Sequence, residues 1–382
     1  MTKEDGDWRP ERVSLCGNCA KDPELKTLVE SDLTDGDCGV CGSSSSRVYN
    51  PERFAEARNL IRALIRFHFD EPDYNPGYGG TSIYNILLEE PNPIIETAKP
   101  GRCADAFIHR ITWEDGMYPA PDKGIRLHAG EEPNLEQLLN FSIPEKGSLF
   151  RRLADRLKQE NFHAVEDAME ELVVSIEADV ESTVQEGSLW YRGRIGVAWD
   201  GLGMPHGEVV PVATPHKGAA IAARLPPDAT AGRTNREGVS VLYLASEVET
   251  ALAEIRPHPG HLISVGGFRA GRNLRIARFD LPIRNFVSSD DRLDLFTIIY
   301  HIDWLLRFPI IPEERHRYAV TQLLSDILIR RGFEGVAYRS SVGTGTNLCV
   351  FDPSTFAFDE SASAVKQIKQ LRYIFSNVDM YG

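Results

Sequence analysis

The stretch Val239–Ile255 reads VSVLYLASEVETALAEI and decides the class of the fold. Its first seven residues are mostly apolar, with β-branched and aromatic side chains, which predicts a strand with Tyr243 on one face. Ser246 followed three residues later by Glu249 is a capping-box pattern, so a helix is expected over 247–255. A strand that turns directly into a helix predicts a domain that mixes both elements.

Further strands and helices are expected on both sides of this stretch. The apolar pattern becomes short and strand-like after Gly187. Strands are predicted at 189–195, 274–281, 336–340 and 348–351, and helices at 293–306 and 313–331. This alternation predicts an α+β domain with a mixed β-sheet. One last helix is expected over 362–375.

Residues 48–186 carry the spacing of amphipathic helices. Asn50 followed by Pro51 is typical of a helix start, with a capping side chain and a proline at the first helical position. Apolar residues recur behind this start at helical intervals and predict one buried face, formed by Phe54, Ala57, Leu60, Ile61, Leu64 and Ile65. The segment 148–185 is patterned in the same way, with predicted core positions at Leu149, Leu153, Leu157, Met169, Leu172, Val173, Ile176 and Val180. We therefore expect a mostly helical second domain.

The composition is that of a soluble globular protein with a strong acidic excess. The 382 residues are 42% hydrophobic and 26% charged, and the net charge is −14. Such a charge is a poor match to a nucleic-acid backbone, so nucleic acid is not an expected partner. No apolar run is long enough to cross a membrane, and the charged first fifteen residues do not resemble a secretory signal. We expect a cytoplasmic protein with no membrane partner.

Four of the six cysteines form a metal-binding pattern. Cys16, Cys19, Cys38 and Cys41 have the spacing C-x2-C-x18-C-x2-C, which presents four thiolates to one tetrahedral Zn²⁺. A closed four-thiolate site leaves no position for water, so the zinc is expected to be structural. The remaining thiols, Cys103 and Cys349, are expected to be buried small side chains.

Arg62 and His68 have five residues between them, a spacing that resembles the R-x4-6-H pattern of HEPN ribonucleases. Ala63 stands where those enzymes usually carry a polar residue. His68 also continues the apolar stripe of its helix, so a packed core histidine is the competing interpretation.

Four segments after Gly187 together resemble the RES domain. They are Trp190-Tyr191-Arg192, Gly232-Arg233-Thr234-Asn235, Leu242–Ala245 with Ala251–Glu254, and Tyr338-Arg339-Ser340-Ser341 leading to Asn347 and Phe351-Asp352-Pro353. Tyr243 lies ten residues after Arg233 and Glu254 eleven residues further on, a spacing typical of that family. The resemblance covers residues 187–357.

The resemblance implies a fold similar to ADP-ribosyltransferases and the consumption of NAD⁺ as a substrate. It implies release of nicotinamide by phosphorolysis or hydrolysis, with catalytic residues Glu254, Arg233, Tyr243 and Ser340. It implies NAD⁺ binding by Arg192, Tyr191, Asn235 and Asn347. RES proteins are often toxins held inactive by a partner, so an antitoxin or immunity protein is expected. Formation of a homo-oligomer is a further option that the sequence leaves open.

The chemistry of these residue types fits that reaction. Loss of nicotinamide develops positive charge on the ribose, which a carboxylate such as Glu254 stabilises. Arginine forks suit a pyrophosphate, and an aromatic face suits the nicotinamide ring. Each residue also has a structural interpretation: Tyr243 as a core side chain, Arg192 in an ion pair, Arg233 and Ser340 in turns. The capping box explains Glu249 without chemistry.

Three hypotheses for the activity remain open at this point. The first is an NAD⁺ phosphorylase or glycohydrolase acting as a toxin or defence effector. The second is a protein mono-ADP-ribosyltransferase, and the third is an interaction or RNA-cleaving module with an inactive RES half. No G-x-G-x-x-G follows a strand and opens a helix, so a dinucleotide-dependent dehydrogenase is disfavoured. The expected domains are a zinc-binding module at 1–47, a helical domain at 48–186, a RES catalytic domain at 187–357 and a helical tail at 358–382.

Overall fold

The structure is a computed structural model. It describes residues 14–43, 46–69, 77, 83–88, 94–96, 102–112, 156, 161–203, 209–308 and 318–372. By their contacts these residues divide into two units, the first drawn from 1–151 and 281–301, the second from 152–280 and 302–382. Among the described residues, no helix is both long enough and apolar enough to span a membrane.

The first unit contains a short strand pair and several helices. In chain order the elements are α1 (Pro23–Ser31), β1 (Leu33–Gly36), β2 (Ser46–Tyr49), α2 (Phe54–His68), α3 (Ile83–Leu88) and α4 (Arg102–Thr112). Strands β1 and β2 pair antiparallel. The expected start near Asn50 is confirmed, because its Oδ1 accepts the Glu52 amide at 3.1 Å and opens a 3-10 turn before α2. The buried face predicted for α2 is also confirmed at all six apolar positions.

The second unit is built on one eight-stranded sheet. Its strands are β3 (Glu181–Val184), β4 (Leu189–Ile195), β7 (Leu242–Ala245), β8 (Leu262–Ala270), β9 (Leu274–Arg278), β10 (Gly335–Arg339), β11 (Thr346–Val350) and β12 (Phe356–Gln367). Their order is β12-β8-β4-β7-β11-β10-β9-β3. Only the β10–β9 pair of this sheet is parallel. Strands β5 (Ala198–Gly203) and β6 (Val209–Thr214) pair separately. The predicted α+β class is confirmed.

Helices complete the second unit. They are α5 (Phe162–Val180), α6 (Val248–Glu254), α8 (Ala319–Arg330) and the last residues of α7 (Asp290–Arg307), which belongs to the first unit as far as His301. The predicted core positions of α5 from Met169 onward are buried, whereas Leu149, Leu153 and Leu157 lie outside the described residues. Because α5 packs on α8 and β9, this unit begins upstream of the boundary expected at 187.

Several predicted elements keep their place with shifted ends, and one is wrong. The strands expected at 239–245 and 274–281 form within those ranges as β7 and β9, and those expected at 336–340 and 348–351 begin one and two residues earlier as β10 and β11. The described part of the expected tail helix, 362–372, is not helical, because β12 runs to Gln367. Its apolar residues mimic a helical period, but the backbone of β12 pairs with β8 from Phe356 to Gln367, and this long-range pairing overrides the local pattern.

Candidate functional site

The segment from β7 to α6 carries two of the predicted catalytic side chains. Tyr243 lies in the middle of β7, and Glu254 ends α6. Helix α6 lies close against β4 where Gly193 stands, since a Cβ there would lie 2.6 Å from the backbone oxygen of Ala251. The tight strand-to-helix turn and this glycine contact together fix where the last turn of α6 ends.

The start of α6 differs from the expected capping box. The helix begins at Val248, and its N-cap Glu247 makes no side-chain capping bond. Ser246 instead accepts the Thr346 amide at 3.0 Å. The Glu247 carboxylate accepts hydrogen bonds from the hydroxyls of Thr344 and Thr250, each at 2.8 Å, and these bonds lower the pKa of Glu247 below its usual range. These side chains tie the loop before β11 to the helix, which is why they do not cap it.

Glu254 is held by two buried donors. Its Oε1 accepts hydrogen bonds from the Ser340 hydroxyl at 2.7 Å and from the Asn347 side-chain amide at 2.6 Å. Both donor residues are about nine-tenths buried, whereas Glu254 is exposed. The Ser340 oxygen in turn accepts the amides of Val342 and Gly343, so its own proton is directed to Glu254. Within the described residues, Oε2 has no hydrogen-bond donor and is available to a ligand.

Two arginines near Glu254 have no carboxylate partner among the described residues. Arg192 Nη1 donates to the backbone oxygen of Tyr243 at 3.3 Å, and burial is the main cause that lowers the pKa of Arg192. Arg233 donates to the backbone oxygen of Phe308, and its guanidinium lies 5.6 Å from the centre of the Tyr318 ring. The predicted structural interpretation of Arg192 as an ion-pair partner is not supported within the described residues, so its charge is free to meet an anionic ligand.

The hydroxyl of Tyr243 is fully engaged behind the site. It donates to Oδ1 of Asn235 at 2.9 Å and accepts the Thr234 amide at 3.1 Å. Burial raises the pKa of Tyr243 above its usual range. The Asn235 amide nitrogen donates to three backbone oxygens of its own loop, and the side chain is almost completely buried. Asn235 therefore shapes the loop and Tyr243, and does not line the pocket described next.

A pocket of about 320 Å³ collects most of the predicted residues. Its lining includes the side chains predicted for NAD⁺ and for catalysis, namely Tyr191, Arg192, Arg233, Tyr243, Glu254 and Asn347. Ser340 is joined to this set through Glu254. The volume lies at the lower end of the range for small-molecule sites. Charged, amide and aromatic groups thus converge on one cleft of the second unit.

Sequence reasoning missed the contribution of α8. Tyr318 precedes this helix and lines the pocket. The Gln322 amide donates to the backbone oxygens of Gly232 and Asn235 at 2.9 and 3.0 Å, and the Thr321 hydroxyl donates to that of Arg233 at 2.5 Å. The helix pattern of α8 was visible in the sequence, but no local signal links it to a loop about ninety residues earlier.

A buried acid supports β10 next to Ser340. Asp303 of α7 is fully buried and accepts the Arg339 amide at 2.8 Å and the Arg339 guanidinium at 3.2 Å. The Arg307 guanidinium lies 3.8 Å from the same carboxylate. Burial raises the pKa of Asp303 to about 6, although Arg339 opposes that shift. Asp303 thereby fixes the strand end from which Ser340 reaches Glu254.

The four paired cysteines of the first unit form one cluster. The sulfur atoms of Cys16, Cys19, Cys38 and Cys41 all lie within 4.8 Å of one another. The Cys19–Cys38 separation is 3.9 Å, close to the roughly 3.8 Å between sulfurs of a tetrahedral zinc site with 2.3 Å bonds. The Cys16 amide also points at the Cys38 sulfur across 3.4 Å. The donor set therefore fits a zinc ion.

The HEPN-like pair and Cys349 take ordinary structural positions. Arg62 is buried on α2, and the half-buried His68 ring meets the Phe67 ring edge-on at 5.2 Å. Six residues apart on a helix, Arg62 and His68 point about 120° away from each other, which does not favour one shared active site. Cys349 is buried as predicted, and burial raises its pKa to about 12. The side chain of Cys103 lies outside the described residues.

Comparison with known proteins adds one family match. The model of the RES domain matches residues 209–376. No curated protein matches the chain. Among solved structures, a chain of the crystal structure of the M. tuberculosis MbcT–MbcA toxin–antitoxin complex is similar at 12% identity with a TM-score of 0.30, covering 52% of this chain and 92% of that one. The RES match includes Arg233, Tyr243, Glu254, Ser340 and Asn347, whereas β4 with Arg192 precedes it.

Proposed function

We propose that this chain consumes NAD⁺ by cleaving the bond between nicotinamide and ribose, as the resemblance to RES domains implies. The observation that carries the proposal is the position of Glu254. Its carboxylate is oriented by Ser340 and Asn347 at a pocket that also presents Arg192 and Arg233, neither of which meets a carboxylate among the described residues. A fixed anion beside two available cations suits a substrate with one cationic ring and a pyrophosphate.

The proposed role of Glu254 follows from the charge that develops during the reaction. When the bond from ribose C1′ to the pyridinium nitrogen breaks, its electron pair stays on nitrogen and neutral nicotinamide leaves. The ribose then carries positive charge, which an oriented carboxylate stabilises more strongly than it stabilises the ground state. Because Oε1 is already occupied by two donors, Oε2 is the oxygen we assign to the ribose. Water or phosphate then forms the new bond to C1′; with water, ADP-ribose and a proton are the products.

The other residues would bind and orient the substrate. Arg192 and Arg233 supply planar forks that make paired, charge-assisted bonds to a pyrophosphate. The Tyr243 hydroxyl is occupied by Thr234 and Asn235, so its ring face is what it offers to nicotinamide. Tyr191 and Tyr318 add aromatic surface to the same pocket.

We also propose that the cysteine cluster binds a structural Zn²⁺. A bound zinc would offset two of the four thiolate charges and cross-link the chain segments that carry Cys16 with Cys19 and Cys38 with Cys41. All four ligands are cysteines, so no coordination position is left for a reacting molecule. The metal would stabilise the first unit and take no part in NAD⁺ cleavage.

Product analysis tests the proposed reaction. Purified protein is incubated with NAD⁺, with and without inorganic phosphate, and nicotinamide and the ADP-ribose products are separated by chromatography. Phosphate-dependent release identifies a phosphorylase, and phosphate-independent release of ADP-ribose identifies a glycohydrolase; a toxin or defence role accords with either. Label from NAD⁺ on a protein band would instead indicate a mono-ADP-ribosyltransferase. An absence of NAD⁺ consumption by the zinc-loaded, folded protein would contradict the proposal.

A further inference from the structure

The hydroxyl of Tyr338 on β10 has no hydrogen-bond partner among the described residues, although its side chain is only 3% exposed. Every other buried serine, threonine or tyrosine in the described part of the second unit uses its hydroxyl in a hydrogen bond. A buried hydroxyl without a partner destabilises the folded state, so buried polar groups are normally paired. The exception at Tyr338 calls for a physical reason.

The open part of Tyr338 faces the pocket of the candidate site. Its oxygen is not one of the completely buried, unpartnered polar atoms of the described residues, so it stays in contact with open space. The side chain belongs to the lining of the pocket that contains Glu254. Tyr191 and Tyr318 line the same pocket, but they are half-buried and water can reach them. For Tyr338, the pocket is where the hydroxyl can meet a partner.

Strand pairing places Tyr338 in a row of side chains that forms one wall of the pocket. Tyr338 lies directly opposite Asn347, which lies directly opposite Ala245. Ala245 is in turn opposite Tyr191, so the row crosses β10, β11, β7 and β4. Directly opposite residues present their side chains on the same face of a sheet, and all four line the pocket. The small side chain of Ala245 leaves room for a ligand between the two tyrosines.

Asn347 connects Tyr338 with the carboxylate of Glu254. The Cβ atoms of directly opposite residues lie about 4.5–5.5 Å apart. Asn347 also donates to Oε1 of Glu254 at 2.6 Å. Tyr338 and Glu254 are therefore both immediate neighbours of one side chain, and a ligand bound to Oε2 of Glu254 can also contact the Tyr338 hydroxyl. Burial raises the pKa of Tyr338 well above its usual value, so the hydroxyl keeps its proton and can donate a hydrogen bond.

We propose that the Tyr338 hydroxyl donates a hydrogen bond to the ribose that carries nicotinamide, next to the ribose hydroxyl that Glu254 binds. This inference rests on the proposed function. Ribose has hydroxyls on two neighbouring carbon atoms, and Oε2 of Glu254 accepts a hydrogen bond from one of them. Tyr338 offers the second one a donor that is not otherwise used among the described residues. Two contacts hold the sugar in one orientation while the bond at C1′ breaks.

Removal of the hydroxyl should leave the fold intact. Tyr338→Phe takes away one oxygen, keeps the ring and breaks no hydrogen bond among the described residues, so its melting temperature should equal or exceed that of wild type. Tyr49→Phe is the matched control, since the buried Tyr49 of the first unit donates to Glu56 at 3.1 Å. The control should melt at a lower temperature and release nicotinamide at the wild-type rate per folded molecule. A clear fall in the melting temperature of Tyr338→Phe would reveal an internal partner and overturn the inference.

Binding of two nucleotides identifies the group that Tyr338 contacts. ADP-ribose contains the ribose in question, whereas ADP lacks it. Calorimetry measures both affinities for the full chain and for its Tyr338→Phe and Tyr49→Phe variants. Tyr338→Phe should bind ADP-ribose about five- to tenfold more weakly, the usual effect of one hydrogen bond, and should bind ADP as wild type does. Its kcat/KM for NAD⁺ should fall by at least the same factor, and Tyr49→Phe should show neither change.

Other outcomes overturn the inference and leave the proposed function standing. Unchanged affinity of Tyr338→Phe for ADP-ribose, with a lower kcat/KM for NAD⁺, would assign the hydroxyl to the carboxamide of nicotinamide instead. Equal weakening of ADP and ADP-ribose would assign it to the other end of the nucleotide. If neither affinity nor kcat/KM changes, the hydroxyl has no ligand. If wild type consumes no NAD⁺, the proposed function fails, and the ADP-ribose affinities of wild type and Tyr338→Phe still decide the inference.

Discussion

The side-chain amide of Asn347, on β11, donates to Oε1 of Glu254, at the end of α6, across 2.6 Å and 93 residues of sequence. Ser340, from the end of β10, donates to the same oxygen. One carboxylate oxygen is thus fixed by two neighbouring strands and the other is left to a ligand. This division of the two oxygens is what makes Glu254 an oriented group.

Removal of either donor should impair turnover while the protein stays folded. Asn347→Ala and Ser340→Ala each take away one hydrogen bond to the carboxylate, and we expect kcat for nicotinamide release to fall by about ten- to a hundredfold. Ser341→Ala is the matched control, since Ser341 is exposed beside the same strand end. Equal kcat values in all three variants would show that the orientation of Glu254 has no part in the reaction.

Arg192 should matter for substrate binding through its shape as well as its charge. Arg192→Lys keeps the positive charge but loses the planar fork, so we expect KM for NAD⁺ to rise about tenfold with a smaller change in kcat. Arg192→Ala should raise KM further. Arg269→Ala on β8, whose side chain pairs with Asp359, serves as the control. A normal KM in the lysine variant would contradict the assignment to the pyrophosphate.

Asp303 should make the stability of the folded state depend on pH. Its pKa is raised by burial from the model-peptide value of 3.8 to about 6. The folded state therefore holds this proton more tightly than the unfolded state. The tighter proton binding by Asp303 therefore adds to the free energy of unfolding below about pH 4, and this contribution is lost as pH rises through about 6.

The corresponding variant is Asp303→Asn, which does not titrate. Relative to this variant, wild-type protein should lose on the order of 3 kcal/mol of unfolding free energy between pH 4 and pH 7. Denaturant unfolding at several pH values measures the difference. The free energy of unfolding of wild type minus that of Asp303→Asn should fall over this range. If this difference stays constant or rises with pH, the Asp303 carboxyl is not buried in the folded protein.

Zinc content tests the cysteine cluster. Purified protein should contain about one zinc per chain, and Cys38→Ser should lose most of it and lower the thermal stability. Cys349→Ala, which removes a buried thiol of the other unit, should leave the zinc content unchanged. Nicotinamide release per folded molecule is expected to be similar with and without the metal. Zinc-free native protein, or zinc retained by the serine variant, would refute the site.

Local pattern was sufficient for much of the fold. The strand and helix of Val239–Ile255, the buried face of α2 and the cysteine spacing all depend on near neighbours in the chain. The converging set around Glu254 was predictable because the RES-like motifs supplied the long-range relationship. The resemblance implied that Asn347 and Glu254 belong to one site. The hydrogen bond between their side chains is the contact that joins them.

What could not be predicted depends on contacts between distant segments. The sequence assigned Ser246 to a helix cap, but Thr346 occupies its oxygen from one hundred residues away. Asn235 was expected to contact NAD⁺. Its side chain instead donates hydrogen bonds to three backbone oxygens of its own loop and accepts one from the Tyr243 hydroxyl. The β12 strand is defined by its pairing with β8.

The most direct test of the account is the turnover of Glu254→Gln compared with that of Glu249→Gln, an exposed acid on the same helix. Both substitutions remove one negative charge from α6, but only the first removes it from the pocket. We predict that Glu254→Gln releases nicotinamide at least about a hundredfold more slowly than wild type while it still binds NAD⁺ in calorimetry, and that Glu249→Gln is close to wild type. Near-normal nicotinamide release by Glu254→Gln would contradict the central claim.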